Sequence, residues 1–177
     1  MAKKILIISA SPRKSGNSDL LCDQFTLGAW ESGHNVEKIF LRSEKIKYCI
    51  GCGNCIETGK CVQKDSMNEI LTKMVDADVL VFATPVYFYA MNGQLKTFID
   101  RTVPRYREFK GKIYFIATCA DPEQSAVEGT VSDFRGFLAC ATGLEEAGMI
   151  FGLGVWNVGD VVNNPAMLQA YQAGKNS

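Results

Sequence analysis

The chain has 177 residues, 47% of them hydrophobic, and its 19 Lys and Arg balance 19 Asp and Glu to a formal net charge of zero. That length suits one domain with a full core, and the charge balance excludes the basic face that a nucleic-acid backbone requires. No apolar run approaches a membrane span, and the one behind Met1-Ala2-Lys3-Lys4 is too short for a signal segment, so a soluble cytoplasmic protein with no nucleic acid and no membrane as partner is expected.

Ile5-Leu6-Ile7-Ile8 is continuously apolar, as in a strand covered on both faces of a parallel sheet. A helical face of Leu21, Phe25, Gly28 and Ala29 follows, and Gly33 should close it. Between them Ser9 to Ser18 collects serines, Gly16, Asn17, Arg13 and Lys14 where a helix dipole favours an anion. The same residues also suit an ordinary turn with Asn17 or Ser18 as helix cap, so the residues alone fit both readings. Neither G-x-x-x-x-G-K-[ST] nor G-x-G-x-x-G stands here, and no cysteine has an arginine six residues later, which excludes three other kinds of phosphate loop.

Val36 to Leu41 reads as an edge strand, since it contains Glu37 and Lys38. Next comes a cysteine-rich loop at about 44–66, in which Cys49, Cys52, Cys55 and Cys61 have the spacing C-x2-C-x2-C-x5-C. Seven cysteines in all, with four in this stretch, fit a reducing compartment and a metal or redox use better than a secreted disulfide framework. Compact thiolate runs of this kind ligate iron–sulfur clusters, whereas structural zinc prefers two separate knuckles. Free thiols, a disulfide or a redox-active pair are the competing readings.

A helix over Met67 to Val75 precedes a third strand, Val79 to Ala83. The loop Thr84 to Met91 then carries Tyr87, Phe88 and Tyr89 in sequence, offering stacking surface to a flat ring or packing under a helix. Leu95, Phe98, Ile99 and Thr102 mark a further helix, and Ile113 to Ala117 a fourth strand that leads into Thr118. Val131, Phe134, Leu138 and Ala141 share another helical face, Met149 to Trp156 is read as the fifth strand, and Asn164-Pro165 opens a last helix that Gly174 should end. Cys22 and Cys140 read as small buried residues, Trp156 as a core plug in preference to the lining of a neighbouring subunit's pocket, and His34, the only histidine, as remote from any site. Strands alternating with helices predict one α/β domain over 1–177, a doubly wound five-stranded parallel sheet in the order 2-1-3-4-5 with helices on both faces. Its switch point lies between the first and third strands, so a ligand is expected between the loops that leave them.

Two motifs in these loops carry a family resemblance. Ser11, Arg13, Gly16 and Ser18 match S-x-R-x-x-[GS]-x-[ST], and Pro85 to Arg101 matches P-V-Y-[FW]-x-x-[MS]-x-x-x-L-K-x-[FW]-[IL]-D-R, so the chain resembles the flavodoxin-like NAD(P)H-dependent FMN reductases. The cysteine spacing, with Asp65-Ser66-Met67 after it, resembles the iron–sulfur flavoprotein branch. The resemblance implies FMN held by Ser9, Ser11, Arg13, Gly16, Asn17 and Ser18 at its phosphate and by Pro85, Val86, Tyr87, Phe88 and Thr118 at its ring, with no catalytic side chain beyond the flavin. It implies NAD(P)H as electron source, a small-molecule acceptor such as a flavin or quinone, and a homodimer or homotetramer. Lys96, Asp100 and Arg101 would serve helix packing and subunit contact. The alternative it implies is an electron carrier with a ferredoxin-like donor and a 4Fe–4S cluster on the four cysteines; a phosphate-binding module without flavin is a third reading.

Overall fold

The buried apolar runs become a parallel sheet because neighbouring strands must satisfy one another's backbone groups once both faces are covered. In the computed structural model, which describes residues 1–177, the elements are β1 (Lys4–Ser9), α1 (Asn17–Glu31), β2 (Asn35–Phe40), α2 (Asn54–Thr58), α3 (Met67–Asp76), β3 (Val79–Tyr87), β4 (Ala90–Met91), α4 (Gly93–Asp100), β5 (Gly111–Thr118), α5 (Glu128–Cys140), β6 (Leu144–Gly152) and α6 (Ala166–Lys175). The sheet order is β2-β1-β3-β5-β6, with β4 pairing β3 off this path. Apart from that two-residue strand, this is the expected order 2-1-3-4-5. β2 is an edge strand, as its charges indicated.

Alternation along the strands splits the core between the two faces. Leu6, Ile8, Leu80, Phe82, Ile113 and Phe115 join residues of α3, α4 and α5 in one cluster, whereas Ile5, Ile7, Val79, Val81, Tyr114 and Ile116 pack with α1 and α6 in the other. Helices α1 and α6 approach until backbone meets backbone. A Cβ on Gly28 would strike the Tyr171 carbonyl oxygen, and one on Gly174 the Phe25 carbonyl oxygen. Gly174, expected to end α6, is therefore a contact residue within it. The start of α6 is as expected, with Asn164 Oδ1 accepting from the Ala166 N–H at 3.0 Å.

Several local expectations need correction. The last strand runs over Leu144–Gly152 instead of 149–156, because the sheet edge leaves Glu145 and Glu146 free to face water inside a strand. Trp156 is no core plug: it lies beyond that strand and is 69% exposed. Cys140 is exposed, whereas Cys22 is buried as expected and burial pushes its thiol pKa up. On α5 the buried face carries Phe134 and Phe137, so it is rotated slightly from the one inferred. The residue capping α1 is Gly16, and no side chain caps that helix. Asn17 has another use.

Candidate functional site

All loops that leave the parallel strands at their carboxyl ends share one edge of the sheet, where the switch point between β1 and β3 opens a crevice. A cleft of about 490 Å³ lies there, a volume within the range of small-molecule and cofactor sites. Ser11, Arg13, Gly16, Asn17 and Ser18 line it from the first loop, Pro85, Val86, Tyr87 and Phe88 from the end of β3, and Thr118 from the end of β5. Ser9 alone of the expected contact residues lies elsewhere. It is fully buried, and its hydroxyl donates to Asp19 Oδ1 at 3.1 Å. That carboxylate also pairs with Lys38 at 3.2 Å and Arg42 at 3.6 Å, which compensates the one acidic charge in the first turn of α1.

The first loop is shaped by its own side chains. Ser11 Oγ donates to the Arg13 carbonyl at 2.9 Å, and the Gly16 N–H donates to the same oxygen at 3.2 Å. Gly16 also sits where a Cβ would collide with Ser11 Oγ. Behind this turn the amino end of α1 offers N–H groups without intrahelical acceptors. Ser18 Oγ stands among them with no hydrogen-bond partner, although the residue is only 1% exposed. A buried orphan hydroxyl costs free energy that an anion's oxygens would recover, so this end of the cleft fits a phosphate.

Two residues of the first loop reach the segment after β6, whose beginning the sequence places inside the last strand. Arg13 Nη1 donates to the Trp156 carbonyl at 2.8 Å. Asn17 Nδ2 donates to the Asn157 carbonyl at 2.8 Å, while its Oδ1 accepts from the Gly159 and Val161 N–H groups at 3.1 and 3.3 Å. The side chain of Asn17 thus holds the loop after β6 while the residue still lines the cleft. Asp160 braces that loop by accepting from the Trp156 and Asn157 N–H groups, which lower its carboxyl pKa. Val155 and Trp156 thereby become a further wall of the cleft. No motif marks them, and the sequence alone leaves Trp156 as a core plug or the lining of a neighbouring subunit's pocket.

The opposite wall is a strained hairpin. Tyr87 pairs with Ala90 across two residues, Phe88 and Tyr89, that have φ of 51° and 62°. Such turns prefer Asn-Gly, and each bulky residue held there costs on the order of 1 kcal/mol or more. The Tyr89 carbonyl is pressed so closely against α5 that a Cβ on Gly129 would collide with it. Phe88 at the tip is fully exposed. Asn92, another residue the sequence reading missed, joins this wall to the first loop: its Nδ2 donates to the Ala10 carbonyl at 2.6 Å and its Oδ1 accepts from the Leu95 N–H, capping α4.

The cysteine segment follows β2 at the same edge. Gly51, Gly53 and Gly59 turn it through left-handed conformations with φ of 64°, 73° and 66°. Cys49 and Cys52 are exposed and Cys55 and Cys61 half-buried, all with free thiols. No three of these side chains stand close enough to share a metal ion. Burial raises the Cys55 pKa, and the charges of Cys61, Cys49 and Cys52 raise it further, so all four thiols lie within electrostatic reach. Four free cysteines on a glycine-turned segment are a donor set suited to a cationic metal centre, which would displace their protons on binding.

A flavodoxin-like doubly wound α/β domain with a serine-rich turn at a helix amino end facing an aromatic wall is thus the class that fold and cleft define. The family model of the NADPH-dependent FMN reductases matches residues 3–154, and the chain belongs to that family. An iron–sulfur flavoprotein of Archaeoglobus fulgidus is 35% identical over 158 residues, 86% of this chain and 69% of that protein. Another, from Methanocaldococcus jannaschii, is 42% identical over 101 residues, 57% of this chain and 52% of that protein. The chain spans about half the length of four of its curated relatives, from 48% to 52%. An NAD(P)H:quinone oxidoreductase from Methanothermobacter marburgensis shares the fold with a TM-score of 0.83 at 20% identity, over 99% of this chain and 96% of that one.

Proposed function

We propose that the chain binds FMN in the cleft at the carboxyl edge of the sheet and passes electrons from NAD(P)H to a small-molecule acceptor such as a flavin or quinone. The observation that carries this reading is Ser18, a buried hydroxyl without a partner at the amino end of a fifteen-residue helix, opposite the aromatic wall at Tyr87 and Phe88. FMN bound there would supply both one-electron and two-electron chemistry. The protein's part is to bind, orient and shield. Ser18 Oγ and the first N–H groups of α1 would hold the phosphate, with Ser11 and Gly16 shaping the turn. Arg13 would add charge while fastening the Trp156 wall. Pro85, Val86, Tyr87 and Phe88 would seat the ring, and Thr118 and Trp156 would border it. His34 accepts from the Lys3 N–H near the opposite end of β1, away from the cleft, and because the flavin would carry the redox chemistry no acid or base of the chain is required.

Purified protein tests this directly. Expected are a yellow complex on adding FMN, near one equivalent per chain, and FMN-dependent oxidation of NADH or NADPH. Colourless protein that ignores FMN would refute the reading. We further infer assembly as a homodimer or homotetramer, since Phe88 and Trp156 otherwise leave aromatic surface exposed beside the cleft.

The similarity to iron–sulfur flavoproteins favours a second reading, in which the chain is an electron carrier served by a ferredoxin-like donor. Cys49, Cys52, Cys55 and Cys61 would hold a 4Fe–4S cluster, whose contribution would be a one-electron relay. Anaerobic purification with iron and acid-labile sulfide analysis distinguishes the two: about four of each per chain favours the carrier, and rapid NAD(P)H oxidation by iron-free protein favours the reductase.

A further inference from the structure

We propose that Arg101 is the positioning residue of the cysteine segment: one buried guanidinium fastens both ends of the segment and faces one of its sulfurs. As it bears on metal binding, this deepens the cluster reading and rests on it. Arginine is almost never fully buried unless paired, yet Arg101 is 2% exposed. Its Nη1 donates to the Lys47 carbonyl at 2.6 Å and to Asp65 Oδ2 at 2.7 Å. Its Nη2 donates to Asp65 Oδ1 at 3.0 Å and to Cys61 Sγ at 3.4 Å. Lys47 and Asp65 bracket all four cysteines of the segment, and the Lys47 N–H closes the bracket by donating to Asp65 Oδ2 at 3.2 Å.

Between these anchors the segment buries little, and apart from the Gln63 Nε2 bond to the Tyr48 carbonyl at 2.9 Å its side-chain hydrogen bonds, such as those of Thr58 to the Asn54 and Lys60 carbonyls, are local and exposed. Its one helix, α2, has five residues and none of them buried, while Tyr48, Ile50 and Ile56 are exposed. A chain that buries so little cannot hold a geometry by packing, so its shape depends on its ends. The planar fork of an arginine meets a carbonyl, a carboxylate and a thiol at once, which the point charge of a lysine cannot do. A donor and a positive charge at a ligand sulfur also raise the reduction potential of a bound cluster, because they stabilise its more negative state. The resemblance assigned Arg101 to helix packing and subunit contact; the geometry assigns it to the cysteines.

The test compares wild type with Arg101→Lys and with the double variant Arg101→Met/Asp65→Leu, which removes both charges and leaves none buried alone. Amide exchange over residues 48–64 is measured on metal-free protein, then iron and sulfide content and midpoint potential after anaerobic reconstitution. Arg101→Lys should exchange at least about tenfold faster over the segment while β1 and β3 stay protected, corresponding to about 1.4 kcal/mol of lost local stability. Its iron content should fall below half that of wild type, and any cluster formed should have a more negative potential. The double variant should keep a cooperative melt yet show the same losses, which separates an unfastened segment from a misfolded chain. Exchange as slow as in wild type would overturn the proposal, as would full iron content with an unshifted potential. Wild type that takes up no iron would refute the cluster reading alone, and the exchange of the metal-free variants would still decide whether Arg101 positions the segment.

Discussion

The guanidinium of Arg101 and the carboxylate of Asp65 form a two-pronged pair, with Nη1–Oδ2 at 2.7 Å and Nη2–Oδ1 at 3.0 Å, and their side chains are 1% and 3% exposed. The pair stands between the sheet's helical layer and the cysteine segment, joining residues 36 apart in sequence. Removing one partner strands the other as a buried charge. Asp65→Ala should therefore destabilise the protein by about 3–5 kcal/mol, measured by urea denaturation. A loss below about 1 kcal/mol would mean that the pair is effectively solvated.

The same pair predicts an acid limb to stability. Burial alone would raise the Asp65 pKa, but Arg101 and the Lys47 and Met67 N–H groups outweigh it and hold the carboxyl below its ordinary value. The unfolded chain, with an aspartate pKa of about 3.9, then binds the proton more readily than the folded one. The stability this contributes is complete above that unfolded value and is lost as pH falls through the lower, folded one. Melting temperatures from about pH 6 down to about pH 2.5 should fall more steeply for wild type than for Asp65→Asn.

Ser18→Ala should separate stability from binding. Removing a buried hydroxyl that has no partner relieves an unpaid desolvation, so the FMN-free protein should melt at the same temperature or higher. Its affinity for FMN should drop by about 1.5–3 kcal/mol, the range for a hydrogen bond to a charged group. Equal affinity, measured by fluorescence quenching, would remove the phosphate from this end of the cleft.

Arg13→Ala should weaken FMN binding by a similar amount, about 1.5–3 kcal/mol, and also loosen the wall at Trp156 that its Nη1 holds. Faster amide exchange at residues 156–161 in FMN-free protein should accompany the loss. Weaker binding with unchanged exchange would show that Asn17 and Asp160 suffice for that wall.

Strain in the hairpin at Phe88 and Tyr89 should be recoverable as stability. Replacing the two by Asn-Gly, the preferred pair for a turn with both central residues at positive φ, should stabilise the FMN-free fold by about 1–2 kcal/mol in thermal denaturation. FMN affinity should fall because the aromatic wall is lost. A less stable variant would show that contacts of the two rings outweigh the backbone cost.

What the amino-acid order determined by itself was everything carried by local periodicity. Continuous apolar runs marked the strands, spaced apolar faces marked the helices, and their alternation led to the parallel sheet and its switch point. Ten of the eleven anticipated contact residues accordingly line one cleft, because both loops leave adjacent strands at the same edge. Short-range pattern could not reveal pairings between groups far apart in sequence. Arg13 with Trp156 and Asn17 with Asn157 are 143 and 140 residues apart, and they make two residues of the cleft fasteners of a third loop as well. The tertiary structure alone decided that Ser9 serves Asp19, that Trp156 borders the cleft and that Arg101 grips the cysteine segment. The physical reason is that a polar side chain takes its role from whichever partner burial brings within hydrogen-bonding distance, and which partner that is depends on the packing of the whole sheet.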